Sequence, residues 1–416
     1  SLKEILKPAI QQAKNGFVVT ERYLKLIRYR EDIIRKYTST SSIFFINNNI
    51  PKLGDFIIQK DLAKTLSMIA EKGSEGFYRG NFAQKIVDNV QENGGIWETY
   101  DLENYKIIER EPISINYKGN KIISVPPPSS GGIVLGQALN ILEKFDLTKY
   151  DSTTQKHIIV EAMRRAYRDR AAYLGDSDFI HIPIDRLLDK NYAEGLALTI
   201  NVDRATPSSE LGSITADNNL GNNTTHFSVV DKDGNKVSST LSINLPFGSG
   251  FVIEGTGIVL NNEMDDFTIK PLTANNYGLV GYYANTIHPG KRPLSSMTPT
   301  LIESNDRIGI LGTPGGSRII SMVLLAILDF VKGELPESWV SLPRFHHQYV
   351  PDLIQYEMGG LSEKEKKKLI MKGHELKEIK RKYGNMQAIM IWKNRNTSFV
   401  ASDPRGEGVA EAIHLH

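Results

Sequence analysis

The sequence predicts a layered α+β fold, with sheet packed on sheet beneath helical covers. Three observations carry that expectation: a mostly helical first half, an abrupt change to strand-like periodicity at 223/224, and three hairpins arranged around one long helix in the second half.

The elements follow in order. Leu2, Ile5, Leu6, Ile10 and Ala13 fall at helical spacing from the first residues. Asp61 precedes Leu62, Leu66, Ile69 and Ala70 at the same spacing, and Gly73 is expected to stop that helix. Another helix follows Gly80 through Phe82, Ile86, Val87 and Val90 and ends at Gly94-Gly95. Residues 115–125 read as a strand pair turned at Gly119-Asn120. Pro126-Pro127-Pro128-Ser129-Ser130-Gly131-Gly132 is a rigid turn that opens a helix near Ile133, and 154–173 is helical again and rich in arginine. Residues 204–223 are polar and full of chain breakers, as in an exposed linker. Strands at 224–230 and 237–243 then flank the turn Asp231-Lys232-Asp233-Gly234-Asn235. Further hairpins join 298–302 to 308–311 and 388–392 to 398–401, and the helix 319–331 lies between them.

Composition narrows the function. The 416 residues are 40% apolar and 24% charged, which excludes collagen-like, coiled-coil and wholly disordered chains. Fifty basic against 48 acidic residues leave a net charge of +2, without the basic footprint that nucleic acid demands. The most uniform apolar run, Met322 to Leu328, is too short to span a bilayer. With no cysteine there is no disulfide, thiolate nucleophile or Cys-ligated metal, although an extracytoplasmic protein of this size needs no disulfide. No repeat, Walker loop, Rossmann fingerprint, Gly-x-Ser-x-Gly elbow or His-Glu-x-x-His motif occurs.

Several clusters could carry chemistry. Gly312-Thr313-Pro314-Gly315-Gly316-Ser317-Arg318 puts backbone N–H groups at a helix start, which suits an anion or a developing oxyanion and equally a structural tight turn. Glu263, Asp265 and Asp266 read either as a solvated turn or as a clamp for a metal or an ammonium group. Ser295 and Ser296, beside the basic pair Lys291-Arg292, suit a carboxylate. His346-His347 reads as structural or solvated loop histidines, and His414 and His416 lie at the terminus. A Thr, an acidic clamp and a hydroxyl pair together suit an amino-acid-like ligand.

The segment from Asn223-Thr224-Thr225-His226-Phe227-Ser228 to Asn235 resembles the processing and nucleophile segment of the γ-glutamyltransferases, or γ-glutamyl transpeptidases. The resemblance continues through Phe247-Gly248-Ser249-Gly250, Leu260 to Phe267, Lys291 to Met297, Gly312 to Arg318, Pro343 to Gln348 and Ser402-Asp403-Pro404-Arg405. Upstream it takes in Pro126 to Gly132 and Ala166 to Asp176, so it covers essentially the whole chain in order.

The resemblance implies a four-layer αββα N-terminal-nucleophile hydrolase sandwich that matures by cutting itself between Asn223 and Thr224. Residues 1–223 would form the large-subunit portion and 224–416 the small subunit, together one interleaved domain and a heterodimer of two fragments. Thr224 would be the nucleophile, and its freed α-amine, with a reference pKa of about 7.7–8.0, the base that a threonine hydroxyl needs. Ser242 would be the second hydroxyl of the nucleophile loop, usually Thr in the family, hydrogen-bonded to Thr224. Asn244 would bind the donor, Glu263 and Asp266 its α-ammonium, Ser295 and Ser296 its α-carboxylate. Gly315 and Gly316 would form the oxyanion hole, and Tyr277 the lid.

Glutathione or another γ-glutamyl compound is the implied donor, an amino acid, dipeptide or water the acceptor. No cofactor or metal is implied, and bacterial relatives suggest a periplasmic or extracellular location. One family feature is missing from this sequence: an Arg in an Asp-Phe-Arg-like motif that clamps the donor α-carboxylate. The expectation is that it lies in a segment before Ser1, the alternative being a truncated member. Two rival readings stand beside the main one. A glutaryl-type acylase would have no use for Glu263 and Asp266. A non-catalytic binding or structural homologue would have no use for Thr224 and Gly315-Gly316.

Overall fold

Six strands build an antiparallel sheet in the order Thr397–Ser402, Gln387–Trp392, Arg307–Gly312, Thr300–Glu303, Asn120–Ser124 and Ile113–Tyr117. The computed structural model describes residues 1–212, 224–271, 273–395 and 397–413. Asn223, His414 and His416 lie outside the described residues. The chain forms two compact units, Ser1–Glu109 with Ile243–Asn262, and Arg110–Ser242 with Glu263–His416. No helix among the described residues is long and apolar enough to cross a membrane.

The sheet belongs to the second unit. Ile302, Leu311, Ala388 and Met390 pack with the helices Gly131–Leu142, Ser152–Tyr173 and Ile319–Lys332 into one apolar core. Gly309 opens toward Phe330 and Trp339 on this helical side. Gly312, three residues on and therefore on the opposite face, opens toward His226 of the hairpin Thr225–Val230/Lys236–Leu241. Helix, sheet and hairpin are thus successive layers. The hairpin turns because Asp231 Oδ1 accepts from the Asp233 and Asn235 amides at 2.9 and 2.8 Å, with Gly234 at φ 82°. The 113–124 hairpin turns at Lys118-Gly119, one residue earlier than its sequence suggests, with φ 47° and 78°. Two successive left-handed residues match the twist of paired strands.

The helix Ser152–Tyr173 buries charge that is neutralised within the unit. Glu161 receives Arg165 Nη1 at 2.6 Å and Arg164 Nε at 3.2 Å, and Arg164 Nη1 also reaches Ser208 Oγ at 2.7 Å and the Asp352 carboxylate. The start of the expected linker is mostly exposed, as at Arg204, Pro207, Ser209, Glu210 and Gly212, but it is pinned at two buried residues, Ala205 and Ser208, where Ser208 serves Arg164, Asp352 and the Tyr349 carbonyl. His346 and His347 are buried too, not solvated on a loop. His346 ends the short strand Phe345–His346 and meets Ser321 and Gln348, while His347 meets Asp352.

The buried trio His157, Glu161 and His374 has metal-ligand composition. Its side chains are instead engaged with one another and with neighbouring groups. His157 Nε2 lies 2.8 Å from the Asn201 carbonyl and must donate, so its Nδ1 accepts from His374 Nε2 at 2.7 Å. His374 Nδ1 is then the acceptor that faces Arg164 Nη2 at 3.5 Å. This is a directed relay of neutral imidazoles.

In the first unit the helix Leu2–Asn15, capped by the reciprocal Ser1–Glu4 box, packs on Lys60–Tyr78. Gly73 stops the first stretch of that second helix, as its sequence suggests, at φ 63° and ψ −150°. A short helical turn resumes after it and brings Phe77 and Tyr78 to the cluster around Phe82. Arg30 Nε and Nη2 hold the Pro246 and Gly248 carbonyls at 3.1 and 2.7 Å, tying 243–262 into the unit.

Candidate active site

Hairpin register sets the first part of the site. Thr225 pairs with Leu241 and His226 with Thr240, which carries Thr224 and Ser242 to facing positions just past the ladder. Half-buried Thr224 donates its hydroxyl to Ser242 Oγ at 3.4 Å. His226 anchors the strand from below: its Nδ1 and Nε2 lie 2.8 and 3.1 Å from Thr240 and Ser228 hydroxyls, and burial pushes its pKa down to about 3. It stays neutral under any physiological condition. Its ring occupies the space a side chain at Gly312 would need, since a β-carbon there would stand 2.2 Å from His226 Cε1.

Gly315 and Gly316 follow the strand Arg307–Gly312, buried and in left-handed conformations, with φ 151° and 59°. Tyr277, only 5% exposed, packs on Gly316 and is held by its own backbone. Asn275 Oδ1 accepts from the Tyr277 amide at 3.0 Å, and Gln348 Nε2 donates to the Tyr277 and Gly278 carbonyls at 3.2 and 2.8 Å.

The three acidic residues separate in role. Asp265 Oδ2 accepts from the Asn276 amide at 3.1 Å and so shapes the tyrosine turn. Asp266 faces inward, its Oδ1 accepting from Asn275 Nδ2 at 3.2 Å. Burial, then the adjacent Glu263 charge and a hydrogen bond with it, hold the Asp266 carboxyl well above the usual carboxylate range. Two neighbouring acids favour a shared proton or a nearby cation over two free charges.

Ser295 and Ser296 are zipped to the proline-rich turn. The Ser295 amide donates to the Pro128 carbonyl at 2.9 Å, while the Ser130 amide and hydroxyl donate to the Ser295 carbonyl at 2.8 and 2.7 Å. Close approach requires Gly131, whose added β-carbon would stand 2.5 Å from the Met297 carbonyl oxygen. The basic pair expected beside these serines turns elsewhere: Lys291 Nζ donates to the Ala284 carbonyl at 2.7 Å, and Arg292 Nη1 lies 3.9 Å from Asp178. The cation at the serines is instead Arg170, whose Nη2 donates to Ser296 Oγ at 3.2 Å. In sequence Arg170 is one of several arginines on one helix, and only its distant partners, Ser130 and Ser296, set it apart. Asn244 belongs to the other unit, at φ 67°, with its Nδ2 donating to the Asn262 carbonyl at 2.9 Å.

The second unit therefore presents a hydroxyl pair at a strand start, a left-handed glycine pair under a tyrosine, a pair of adjacent carboxyls, and a serine pair backed by an arginine. Comparison with known proteins accounts for the set. The family model described as Gamma-glutamyltranspeptidase matches residues 1–413. The glutathione hydrolase proenzyme of Escherichia coli (strain K12) is 42% identical over 409 residues, 97% of this chain and 70% of that protein. That of Pseudomonas sp. (strain A14) is 42% identical over 365 residues, 86% of this chain and 63% of that protein. The cephalosporin acylase from Bacillus halodurans superposes with a TM-score of 0.86 at 26% identity, covering all 100% of this chain and 75% of its own. Its α+β sandwich is that of the N-terminal-nucleophile hydrolases, and with a family model matched from end to end, the chain belongs to the gamma-glutamyltranspeptidase family.

Proposed function

We propose that this protein is a γ-glutamyltransferase and glutathione hydrolase whose donor is glutathione or a related γ-glutamyl compound. The observation that carries the reading is the Thr224–Ser242 hydroxyl pair at the start of a strand, in a chain 42% identical to a glutathione hydrolase proenzyme. Cleavage of the Asn223–Thr224 bond gives Thr224 a free α-amine. The fragments 1–223 and 224–416 then act as a heterodimer that is one interleaved domain. Support for the interleaving is that each compact unit draws on residues from both sides of 223/224.

In the reaction Thr224 Oγ attacks the γ-carbonyl carbon while its hydroxyl proton passes to the α-amine. The tetrahedral oxyanion rests on the Gly315 and Gly316 amides. Collapse breaks the C–N bond, and the ammonium returns the proton to the departing amine, leaving a γ-glutamyl ester on Thr224. Water or the amine of an amino acid or dipeptide attacks that ester, gives its proton to the α-amine and restores the Thr224 hydroxyl. Glu263 and Asp266 take the donor's α-ammonium, Ser295 and Ser296 its α-carboxylate. Asn244 binds the donor and Tyr277 closes over it. The chemistry calls on no metal or cofactor, and the compartment proposed is periplasmic or extracellular, as the family resemblance implies.

Purified protein should release glutamate from glutathione and the arylamine from a γ-glutamyl anilide. A fully cleaved preparation inert towards both would sink the reading. Thr224→Ala should remain one band on a denaturing gel where the wild type gives two. The acylase reading draws support from the Bacillus halodurans structure. The raised Asp266 carboxyl beside Glu263 favours a donor with an ammonium group, so a γ-glutamyl anilide should be turned over faster than a glutaryl anilide.

A further inference from the structure

Arg164, Arg165 and Arg168 on the helix Ser152–Tyr173 each pair with a carboxylate. Arg170, on the same helix and only 5% exposed, has none within ion-pair distance among the described residues. Its guanidinium is committed to two serine hydroxyls: Nε donates to Ser130 Oγ at 3.0 Å and Nη2 to Ser296 Oγ at 3.2 Å. It also lines a small pocket with Asp266, Thr268, Asn275 and Leu294. Burial lowers its pKa to about 10, so it remains a cation at neutral pH. The Asp266 carboxyl acts on it only from beyond ion-pair distance, and a buried charge with no direct ion-pair partner is costly and is normally completed by something.

The hydrogen-bond directions say what completes it. Ser296 Oγ accepts from Arg170, which leaves its single hydroxyl hydrogen to point elsewhere. Ser295 Oγ accepts from the Met297 amide at 3.0 Å and is left in the same state. Ser130 passes the second Arg170 hydrogen bond on to the Ser295 carbonyl at 2.7 Å. Arg170 therefore braces both serines, one directly and one through Ser130. Both hydroxyls are left as donors, the arrangement an anion requires.

We propose that Arg170 is the positioning residue that makes this site selective for donors with an α-carboxylate, acting through Ser296 and, by way of Ser130, through Ser295. The proposal rests on the γ-glutamyl reading above and extends it to the origin of carboxylate selectivity. Arg170 supplies the positive field and sets the serine hydrogens. The serines make the contact.

The test compares wild type, Arg170→Gln and Arg170→Lys as cleaved proteins on two donors, a γ-glutamyl anilide and a γ-aminobutyryl anilide, which lacks only the α-carboxylate. Losing a charge-assisted contact should lower kcat/KM for the γ-glutamyl anilide roughly 10- to 100-fold, mainly through KM. Turnover of the γ-aminobutyryl anilide should change by less than about threefold, with Arg170→Lys intermediate on the first donor. An equal loss on both donors marks a purely structural arginine and overturns the proposal. So does no loss on either. Thermal shift gives a readout that needs no turnover: L-glutamate should raise the wild-type Tm and leave that of Arg170→Gln nearly unchanged, while an equal rise in both overturns the proposal. If Arg170→Gln does not fold, Ser130→Ala removes one of the two anchors and should shift the donor ratio the same way; an unchanged ratio there overturns it. A wild type that binds glutamate through Arg170 yet cleaves neither anilide contradicts the proposed activity and leaves this inference standing.

Discussion

The ring of Tyr277 lies against the Cα of Gly316, so close that a β-carbon there would stand 2.2 Å from Tyr277 Cδ1. The glycine assigned to the oxyanion and the tyrosine assigned to the lid therefore share one contact. Gly316→Ala should displace Tyr277 and add about 1–2 kcal/mol of left-handed strain. We expect kcat to fall roughly 100-fold, as when an oxyanion donor is lost. Tyr277→Ala in the same chain should recover part of the lost Tm. Strictly additive Tm losses in a double-mutant cycle would disprove the coupling.

The bond from Thr224 to Ser242 is long, at 3.4 Å, and its acceptor sits on an unbranched side chain with more than one accessible rotamer. Ser242→Ala should slow both self-cleavage and turnover, by roughly fivefold for about 1 kcal/mol. Ser242→Thr, which restricts χ1, should cleave at least as fast as wild type. Band ratios on a gel over time after synthesis decide this.

Donor affinity should depend on pH through Asp266. Its carboxyl is raised by burial and by Glu263, so at low pH it is protonated and cannot hold an ammonium group. KM should fall as pH rises through that titration, while the acid limb of kcat reports the Thr224 α-amine near ~8. Asp266→Asn should abolish the KM limb and leave the kcat limb in place. The same shift opposes folding: an acid raised in the folded state contributes stability that fades as pH climbs from the ordinary carboxylate value to the raised one.

Acid should loosen the second unit at its buried histidines. His374 and His347 are pushed down to about 3 and about 4, mainly by burial, and His157 is lowered as well. Each is neutral when folded and charges in the unfolded chain below its ordinary value near 6.5. Their contribution is complete above that value and is lost as pH falls toward about 3. Asp352, lowered by its His347 hydrogen bond and by Arg164 against the opposing cost of burial, adds a loss in the same direction. His374→Ala should cost about 1–3 kcal/mol at neutral pH, because His157 Nδ1 loses its donor. Urea midpoints measured from pH 4 to 8 should show the decline flattened in that variant.

Local pattern made much of this molecule legible. The strands expected at 388–392 and 398–401, the Asp231–Asn235 turn and the apolar run from Met322 are decided by neighbours in sequence, and these elements formed within a residue of where expected. Contacts between distant residues were not legible. Arg170 is distinguished from Arg168 only by what each meets 126 or 24 residues away. Lys291 and Arg292 adjoin the serines in sequence but are drawn off to Ala284 and Asp178. His346 and His347 looked like loop residues because their partners, Ser321 and Asp352, come from other segments. A polar tract such as 204–212 reads as solvated until an arginine on another helix claims one of its serines.

The six-stranded sheet takes two strands from before residue 223 and four from after it, and the arginine–histidine relay spans the same divide. While the peptide bond is whole, those pairings close loops within one molecule, at a cost that grows only slowly with length. Once the bond is cut, regaining the same sheet becomes an encounter between two molecules, and its rate falls with dilution. Cleavage at the proposed bond would therefore make the fold persist by kinetics: fragments that once came apart at low concentration would be slow to rejoin.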